Sequence, residues 1–426
     1  MTESLPFLRR VSIRNYKSIA ECDVELGKFT IIVGRNGSGK SNFLDAIRFV
    51  VDGLNTSLDH AMKARGGIEE VRRRSTGHPH NFAIELSFGL SNDRECLYGF
   101  EIAAQKRGGF RVREETLVVH LPTGRKLGYR IVDGLLASVA TGNESETPSL
   151  FPDGGSRSQY EHMPKPVSDR LYLVSVSGLG EFREAFDALV SMGFYNLNPE
   201  QIKELQSPDA GELLRRDGSN LASVIGRLME DGGALKERIG EYFRLIVPDI
   251  IDFERKPLAN RETIEFRQEV KGATHPWRFF AASMSDGTLR ALGVLVAVMQ
   301  LARGGTAVRL AGIEEPETAL HPAASGALLD ALREAAVHTQ VIVTSHSPEL
   351  IEGFDPDSDT LIVAQTTQGT SVIGPVDSAS AEAIRDHLYT AGELLKMDQL
   401  QPDPRPLKAR QLTLDDQLNA VCEEVP

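Results

Sequence analysis

The chain has 426 residues, of which 41% are hydrophobic and 25% charged, and its formal net charge is −13 at pH 7. This length suffices for two or three domains or one large elaborated domain, and the composition is ordinary for a globular protein. The acidic balance argues against bulk attraction to nucleic acid, because phosphate neutralisation dominates that kind of binding, although a local basic groove stays compatible with it.

No membrane span is expected, because the sequence lacks a run of about 18 apolar residues. The first residues carry no apolar leader segment, so no signal peptide is expected either. Cys22, Cys96 and Cys422 are scattered without metal-ligand spacing. This pattern predicts a reduced, cytoplasmic protein without disulfides or a zinc site.

The first predicted elements are strands. Residues 8–13 and 22–26 are expected to pair antiparallel, and residues 29–33 form an apolar run typical of a buried strand. A helix over residues 43–51 and a polar connector over residues 53–77 follow. Further strands are predicted as a meander at residues 82–88, 97–102, 110–119 and 126–131. Residues 138–165 are rich in Gly, Ser, Pro and Glu, which predicts a surface loop.

The middle of the chain has mainly helical periodicity. After a strand predicted at residues 170–176, Asn198 and Ser219 are expected helix N-caps. No sustained heptad repeat is present, so a compact lid is expected rather than a coiled-coil arm. Helices are predicted at residues 181–192, 199–206, 220–230, 234–246 and 289–302 and near 379–396; strands are predicted from residue 250 and at residues 306–313, 340–344 and 360–364.

The most specific motif follows the apolar strand at residues 29–33. Residues 34–42 read Gly-Arg-Asn-Gly-Ser-Gly-Lys-Ser-Asn, which fits the phosphate-binding loop G-x-x-x-x-G-K-[ST] between a strand and a helix. Glycines let the backbone direct several N–H groups at one phosphate chain, and the helix start adds its positive dipole end. Lys40 is predicted to reach the β- and γ-phosphates, and Ser41 to bind Mg²⁺. The predicted nucleotide-binding residues are Gly34, Arg35, Asn36, Gly37, Ser38, Gly39, Lys40, Ser41 and Asn42.

Acidic residues and a histidine follow two other predicted buried strands. Ligands of open α/β sheets bind at the carboxyl ends of the strands, where Glu314, Glu315 and His346 are expected. Glu314 is predicted to hold Mg²⁺ with Ser41, and Glu315 to polarise the attacking water. His346 is predicted to donate to the γ-phosphate or to align that water. The alternative to a catalytic site is that the two glutamates are surface acids at the end of a strand and that the histidine is structural.

A third motif, Ser-Met-Ser-Asp-Gly-Thr, opens the apolar helix at residues 289–302. Its Ser, Asp and Thr are good cap residues, so the motif needs no function. However, Gly287 leaves an unobstructed, anion-facing helix start, and a neighbouring serine hydroxyl can donate to a phosphate. The candidate residues are Ser283, Ser285, Asp286, Gly287 and Thr288.

Together these motifs resemble the SMC/RecF-like branch of ABC-type ATPases. Residues 14–19 and 34–42 resemble its opening, residues 285–288 its signature, residues 313–322 its Walker B and D-loop, and residues 344–346 its switch histidine. The likeness extends to prokaryotic ATPases related to the OLD family, many of which are linked to phage defence.

The resemblance implies an α/β fold, namely a P-loop ABC-type ATPase head with an antiparallel β-lobe and an inserted helical lid subdomain. It implies four parts. These are an N-terminal ATPase half with Walker A and the β-lobe (residues 1–177), a helical lid (178–248), a C-terminal ATPase half with the signature, Walker B and switch histidine (249–396), and a tail (397–426).

In this family two heads sandwich two ATP molecules. The resemblance therefore implies ATP and Mg²⁺ as cofactors and a homodimer or a higher oligomer. Ser285 and Gly287 of one subunit would close on the γ-phosphate held by Lys40 and Ser41 of the other. Arg35 is implied to add charge at the phosphates, and Arg14 and Lys17 lie where the family often contacts the nucleotide.

Two departures from the family pattern concern the metal and the turnover. The Q-loop glutamine has no counterpart, since the first glutamine is Gln105, and residues 60–70 are the expected substitute. Glu314 stands where the family usually has Asp, which predicts slow hydrolysis. No TOPRIM nuclease is expected, because the D-x-D-like Asp355, Asp357 and Asp359 have the pattern of a turn.

The sequence thus predicts an ATP-driven dimer switch that works on DNA or through a separate nuclease or other effector, with no membrane partner. The alternative is a nucleotide-sensing scaffold that binds ATP and a partner with little hydrolysis. Two cation-rich stretches leave a DNA groove open, although a solvated surface explains them equally well. They contain Lys63, Arg65, Arg72, Arg73 and Arg74, and then Lys106, Arg107, Arg111 and Arg113.

Overall fold

The structure is a computed structural model that describes residues 6–75, 79–105, 109–140, 163–303 and 308–403. Most of the predicted surface loop at residues 138–165 therefore lies outside the described residues, as do Lys106, Arg107 and most of the predicted tail. No helix in the described ranges is long and apolar enough to cross a membrane.

The strands are, in chain order, β1 (Leu8–Tyr16), β2 (Ile19–Glu25), β3 (Phe29–Val33), β4 (Asn81–Gly89), β5 (Glu95–Ala104), β6 (Phe110–His120), β7 (Lys126–Val132), β8 (Leu135–Ala140), β9 (Met192–Tyr195), β10 (Ile250–Leu258), β11 (Arg261–Gln268), β12 (Trp277–Phe280), β13 (Leu310–Glu314), β14 (Gln340–Ser345), β15 (Thr360–Thr367) and β16 (Thr370–Pro375).

The helices are α1 (Lys40–Asn55), α2 (Leu58–Lys63), α3 (Ile68–Val71), α4 (Tyr172–Val176), α5 (Gly180–Val190), α6 (Pro199–Lys203), α7 (Leu221–Glu230), α8 (Ala234–Ile246), α9 (Asp286–Met299), α10 (Ser325–Ala336), α11 (Pro348–Ile351), α12 (Ser378–Arg385) and α13 (Ala391–Lys396).

One continuous mixed sheet joins thirteen strands of the described ranges in the order β8-β7-β6-β5-β4-β1-β2-β16-β15-β3-β14-β13-β9. From β8 to β2 all neighbours are antiparallel, as the meander pattern predicted. The group β15-β3-β14-β13-β9 is parallel throughout. The carboxyl ends of β3, β14 and β13 therefore lie side by side at one edge. The predicted α/β fold with an antiparallel β-lobe is confirmed.

Strand β3 is buried along its whole length because helices cover both faces of the parallel group. Its side chains alternate between two cores, as the period of two in a strand requires. Ile32 packs in the core that contains Phe43 and Ile47 of α1. Ile31 and Val33 pack in the core that contains the apolar helix α9. The loop between β3 and α1 is thereby supported from both sides of the sheet.

The strand predicted at residues 170–176 is wrong, since this stretch forms helix α4. The cause is a distant residue, Glu115 of β6, whose side chain is 0% exposed. Its carboxylate accepts hydrogen bonds from the backbone N–H groups of Tyr172 and Leu173 and from the hydroxyls of Tyr98 and Tyr129. A carboxylate that accepts the first free N–H groups of a turn stabilises the start of a helix there.

Other predictions need smaller corrections. The helix predicted at residues 181–192 ends at Val190, because Met192 opens β9 beside Leu310 of β13. Asn198 is an N-cap as predicted, whereas Ser219 is not: the next residue, Asn220, takes that position without a side-chain cap bond. The terminal helix predicted near residues 379–396 is two helices, and β16 was missed. The four-part domain division stays a prediction.

Candidate nucleotide site

The loop after β3 curls against the hairpin β15–β16. A Cβ on Gly34 would lie 2.0 Å from the carbonyl oxygen of Ala364, and one on Gly39 would lie 2.3 Å from the Ser371 Oγ. Gly39 also has a φ of 102°, in the left-handed region, at the N-cap of α1. Both positions therefore require glycine. These close contacts hold the loop against the hairpin, with Lys40 on its inner side.

Lys40 lies on this inner side of the loop. Its side chain is 4% exposed, and Nζ donates to the carbonyl oxygens of Gly34 at 2.8 Å and Arg35 at 3.1 Å. Burial lowers the pKa of Lys40, against the opposing effect of Glu315 and Glu317. Among the described residues, the hydrogen-bond partners of the ammonium are carbonyl oxygens. An anion at the loop would supply the charge compensation that these dipoles provide incompletely.

A cleft of about 140 Å³ opens over this loop and is lined by residues 36–42 and Glu315. Pockets that enclose a whole organic ligand usually measure at least about 300 Å³, so this cleft suits a phosphate chain better than a complete nucleotide. Buried Ser38 Oγ has no hydrogen-bond partner in the described part of the chain. An unpaired buried hydroxyl and a buried ammonium beside one cleft fit the triphosphate of ATP.

The predicted catalytic residues lie at the neighbouring strand ends. Glu315 follows β13 with a φ of 43°, and its backbone N–H donates to the Thr344 carbonyl oxygen of β14 at 3.0 Å. Glu315 Oε1 lies 3.9 Å from Lys40 Nζ and 3.3 Å from Nδ1 of His346. The fold thus brings Lys40, Glu315 and His346 together, although they are far apart along the chain.

Glu314, the other acid of this turn, faces a different partner. Its Oε1 lies 3.4 Å from Nη2 of Arg216, in the segment before α7. The backbone carbonyl of Arg216 accepts from Asn196 just after β9, which holds this segment at the sheet edge. No hydrogen bond or ion pair joins Glu314 to exposed Ser41 among the described residues. The described ranges also contain no cluster of three or more His, Cys, Asp or Glu residues suited to a metal. Ser41 and Glu314 would therefore hold Mg²⁺ together with phosphate oxygens and water, as is usual for this ion.

The start of α9 lies apart from this cleft. Ser285 is its N-cap: Oγ accepts from the backbone N–H of Thr288 at 3.2 Å, while exposed Asp286 pairs with Lys203 at 2.5 Å. A Cβ on Gly287 would lie 2.1 Å from the Ala319 carbonyl oxygen, so this glycine is required for packing within the subunit. Ser283 and Ser285 are exposed and Thr288 is buried. No hydrogen bond or ion pair between described residues joins 283–288 to the phosphate loop.

A family model described as "AAA domain, putative AbiEii toxin, Type IV TA system" matches residues 29–352, which is more than half of the chain. The chain belongs to this family. The matched range contains the phosphate loop, both acids and His346 and extends to α11. The protein is thus an AAA-family ATPase domain.

Curated relatives of this AAA domain include chromosome partition protein Smc from Pyrococcus furiosus, 26% identical over 194 residues that cover 42% of this chain and 15% of the relative. DNA replication and repair protein RecF from Gloeobacter violaceus is 37% identical over 87 residues, covering 20% and 23%. DNA double-strand break repair Rad50 ATPase from Aeropyrum pernix is 25% identical over 233 residues, covering 54% and 21%. The chain thus spans less than a quarter of the length of each.

Solved structures of similar fold include an Smc head bound to the C-winged helix domain of ScpA, with a TM-score of 0.54 and 17% identity over 88% of this chain and 100% of that one. The Smc head of Pyrococcus furiosus with an extended coiled coil, bound to the C-terminal domain of ScpA, has a TM-score of 0.51 and 14% identity over 90% and 100%. These similarities establish the fold of the AAA domain. Together with the family match, they confirm the SMC/RecF-like ABC-type class.

The AAA domain also contains a half-buried arginine that the sequence reasoning missed. Arg290 of α9 donates to the carbonyl oxygens of Leu197 at 2.9 Å, Glu314 at 2.9 Å and Glu315 at 3.2 Å. Burial lowers the pKa of Arg290, and the carboxylates of this turn oppose that effect. It links the start of α9 to the turn after β13. Its signal was its position as the one charged residue between Leu289 and Met299.

Several other residues predicted to contact the nucleotide or the metal have partners within the chain. Lys17 pairs with Asp45 of α1 at 2.5 Å, and Arg14 lies 3.7 Å from Glu101. In the segment expected to replace the Q-loop, Arg65 also contacts Asp45. At the phosphate loop, Arg35 lies 3.5 Å from Asp398. Asn42 donates to Ser18 Oγ at 2.7 Å.

Most of the cations that left a DNA groove open have acidic partners. Arg73 instead donates to Thr370 Oγ1. The ion pairs account for most of the described cations without a DNA groove. Arg65 differs from the others, because its side chain is 2% exposed and is therefore not solvated. The turn interpretation of residues 355–359 is confirmed, because the Asp355 carboxylate accepts from the backbone of Asp357 and the hydroxyl of Ser358. The ion pairs are Lys63–Asp59, Arg65–Asp45, Arg72–Glu69, Arg74–Glu70, Arg111–Asp133 and Arg113–Glu101.

Proposed function

We propose that this AAA domain binds Mg²⁺–ATP and hydrolyses it as a homodimer whose two composite sites form and open with the nucleotide cycle. The observation that carries the proposal is the separation of two half-sites in one chain. Lys40, Glu315 and His346 converge on the cleft, whereas Ser285 is exposed at the start of α9 with no contact to it. A second subunit is the natural source of the missing half, because a two-fold dimer presents the same surface twice.

The residues at the cleft have different roles. The loop N–H groups and Lys40 bind the phosphate chain. Ser41, with Glu314 from the turn after β13, would hold Mg²⁺, which when bound would supply charge neutralisation at the phosphate oxygens. Ser285 and Gly287 of the partner subunit close over the γ-phosphate. This closure also explains why the cleft of a single chain is small.

Glu315 is the residue we assign to the attacking water. Its carboxylate lies between the Lys40 ammonium, at 3.9 Å, and the His346 ring, at 3.3 Å. A carboxylate at this point can accept a proton from water and orient it toward a phosphate bound at Lys40. His346 Nδ1 faces Glu315, so its Nε2 is available for the γ-phosphate. Phosphoryl transfer depends mainly on such positioning and charge.

The similar proteins support a proposal for the biological setting. The relatives are named for chromosome partition and DNA repair, the solved heads are bound to ScpA domains, and the family description includes a toxin. We therefore propose a cytoplasmic ATPase that acts on DNA or through a separate effector such as a nuclease, in phage defence. A scaffold with little hydrolysis is the second candidate, favoured by the Arg216–Glu314 pair that occupies a predicted metal ligand.

Mixing inactive variants tests the composite site. Lys40→Ala and Ser285→Arg damage different half-sites, so their heterodimer retains one intact pair of Lys40 and Ser285. An equal mixture should recover about a quarter of wild-type turnover, because half the dimers are mixed and each has one of two sites intact. ATP hydrolysis is measured at concentrations where the oligomeric state is known from light scattering.

The control mixture combines Lys40→Ala with Glu315→Gln, two changes in the same half-site. Every site of this mixture lacks one of the two groups, so no recovery is expected. Equal recovery in both mixtures, or none in the first although mixed dimers form, would contradict the composite site. Unchanged hydrolysis in both Lys40→Ala and Glu315→Gln alone would contradict hydrolysis at this cleft.

A further inference from the structure

Glu317 is a buried carboxyl two residues after Glu315 to which the mechanism above assigns no role. It is 7% exposed, and its Oε1 accepts from Ser345 Oγ at 2.6 Å and from the backbone N–H of His346 at 3.3 Å. Its Oε2 is buried and has no hydrogen-bond partner among the described residues. Burial raises the pKa of Glu317, and these hydrogen bonds partly offset that effect. A carboxyl group in such surroundings is costly to the fold, which calls for a compensating role.

The contacts of Glu317 fix the backbone on both sides of His346. Ser345 Oγ, which donates to Glu317, also accepts from the backbone N–H of Ser347 at 3.0 Å. Ser345, at the end of β14, and the two residues that follow it are thus connected, directly or through one hydroxyl, to one carboxyl of the turn after β13. The histidine loop cannot shift against that turn without breaking these hydrogen bonds, of which the buried bond from Ser345 to Glu317 is the most costly to lose.

The same carboxyl lies beside the imidazole. Nδ1 of His346 is 3.3 Å from Glu315 Oε1 and 3.8 Å from Glu317 Oε1. Nδ1 therefore faces two carboxyl groups, one partly exposed at the cleft and one anchored inside the protein. A movement of the histidine loop would therefore change the distance between the ring and Glu315.

We propose that Glu317 is a positioning residue that locks the histidine loop to the turn after β13 and so holds His346 against Glu315 for hydrolysis. This inference rests on the proposed role of Glu315 and His346. Glu317 is not among the residues that line the cleft, and it acts through Ser345 and the His346 backbone. Its loss should therefore lower kcat while leaving nucleotide binding nearly unchanged.

The test compares Glu317→Ala, Glu317→Gln and Ser345→Ala by steady-state ATP hydrolysis, equilibrium binding of a fluorescent ATP analogue, and thermal unfolding. Glu317→Ala should lower kcat by about 10- to 100-fold, since displacing a catalytic group by about 1 Å costs a factor of that size. Glu317→Gln keeps an acceptor oxygen and should stay within a few-fold of wild-type. Ser345→Ala removes the same contact from the other side and should show a smaller loss of kcat.

The matched control is Glu349→Ala. Glu349 accepts from Ser347 Oγ at 3.0 Å on the same loop, but its side chain is 39% exposed and also lies 3.6 Å from the Lys396 ammonium. No hydrogen bond or ion pair between described residues joins it to the turn after β13. Its removal should leave kcat unchanged. A loss equal to that of Glu317→Ala would show that any carboxylate of the loop matters, and would overturn the specific role of Glu317.

A double-mutant cycle with His346→Ala decides how Glu317 acts. If Glu317 works through His346, Glu317→Ala should add little further loss in the His346→Ala background. The same fold-loss in both backgrounds, or a Glu317→Gln variant as slow as Glu317→Ala, would overturn the inference. If His346→Ala and Glu315→Gln themselves leave kcat unchanged, the proposed function fails instead, and the two failures are thereby distinguished.

Discussion

The two helix starts of the proposed composite site differ in how their first N–H groups are paired. Helix α1 begins at Lys40 after Gly39, and no side chain caps its first N–H groups. Helix α9 begins at Asp286, and its first turn is capped because Ser285 Oγ accepts from Thr288. Free N–H groups at a helix start form an anion site as they stand, whereas a capped start has one donor already paired.

The residues around the two helix starts also differ. The α1 start lies beneath a hairpin and contains a buried ammonium, and Glu315 of the turn after β13 lies 3.9 Å from that ammonium. The α9 start is exposed, and its Asp286 is paired with Lys203. In the proposed dimer, the α1 start binds the phosphate chain within one subunit. The α9 start reaches a phosphate only when the partner subunit presents one to Ser285.

The largest expected effect is at the α1 start. Lys40→Ala removes the ammonium from the cleft, so ATP hydrolysis should fall by at least about 100-fold, as when a preorganised charged donor is lost. The matched control is Lys28→Ala, which removes a lysine from the opposite end of β3 and should leave turnover unchanged. Hydrolysis and nucleotide binding are measured together. Binding that persists at wild-type affinity would contradict the assignment of the phosphate site at the α1 start.

The second prediction concerns the packing role of Gly287 at the start of α9. Gly287→Ala places a methyl group 2.1 Å from the Ala319 carbonyl oxygen, so the turn after β13 must shift. Overpacking of this kind costs about 1–3 kcal/mol, and the melting temperature should fall by several degrees. Gly326→Ala in α10 is the control: its Cβ meets nothing within 4 Å, so helix propensity should make it neutral or stabilising. An unchanged melting temperature for Gly287→Ala would indicate that this glycine serves the nucleotide alone.

The contrast also shows what sequence reasoning can reach. The positions of Lys40, Glu315 and His346 were predictable because each follows an apolar run, and parallel strands place such ends at one edge. Helix α4 was not predictable, because Glu115, the carboxylate that stabilises its start, lies far upstream in a strand. Arg216 was missed for the same reason: its approach to Glu314 depends on how the segment before α7 folds back on β9. Local pattern does not encode such long-range contacts.

The third prediction concerns the link between the two starts. Arg290→Lys keeps the charge but loses the fork that reaches Leu197 and the carbonyl oxygens of Glu314 and Glu315 together. Turnover should fall by roughly 10-fold, the size expected when a catalytic carboxylate is held less firmly. Equilibrium ATP binding should change little, since Lys40 is untouched. A loss of ATP affinity with unchanged kcat would place Arg290 in binding rather than in positioning.

The smallest effect is expected at Arg216. Its ion pair with Glu314 joins side chains that are 46% and 24% exposed, and such pairs contribute about 0.2–1 kcal/mol. Arg216→Ala frees a predicted Mg²⁺ ligand, so the Mg²⁺ concentration for half-maximal hydrolysis should fall by up to about 5-fold, the equivalent of that energy. Arg215→Ala removes the same charge one residue away, where the side chain pairs with Asp209, and should leave the Mg²⁺ dependence unchanged. A higher Mg²⁺ requirement in Arg216→Ala would mean that this arginine assists the phosphates instead of competing for Glu314, and that the phosphate site at the α1 start extends into the segment before α7.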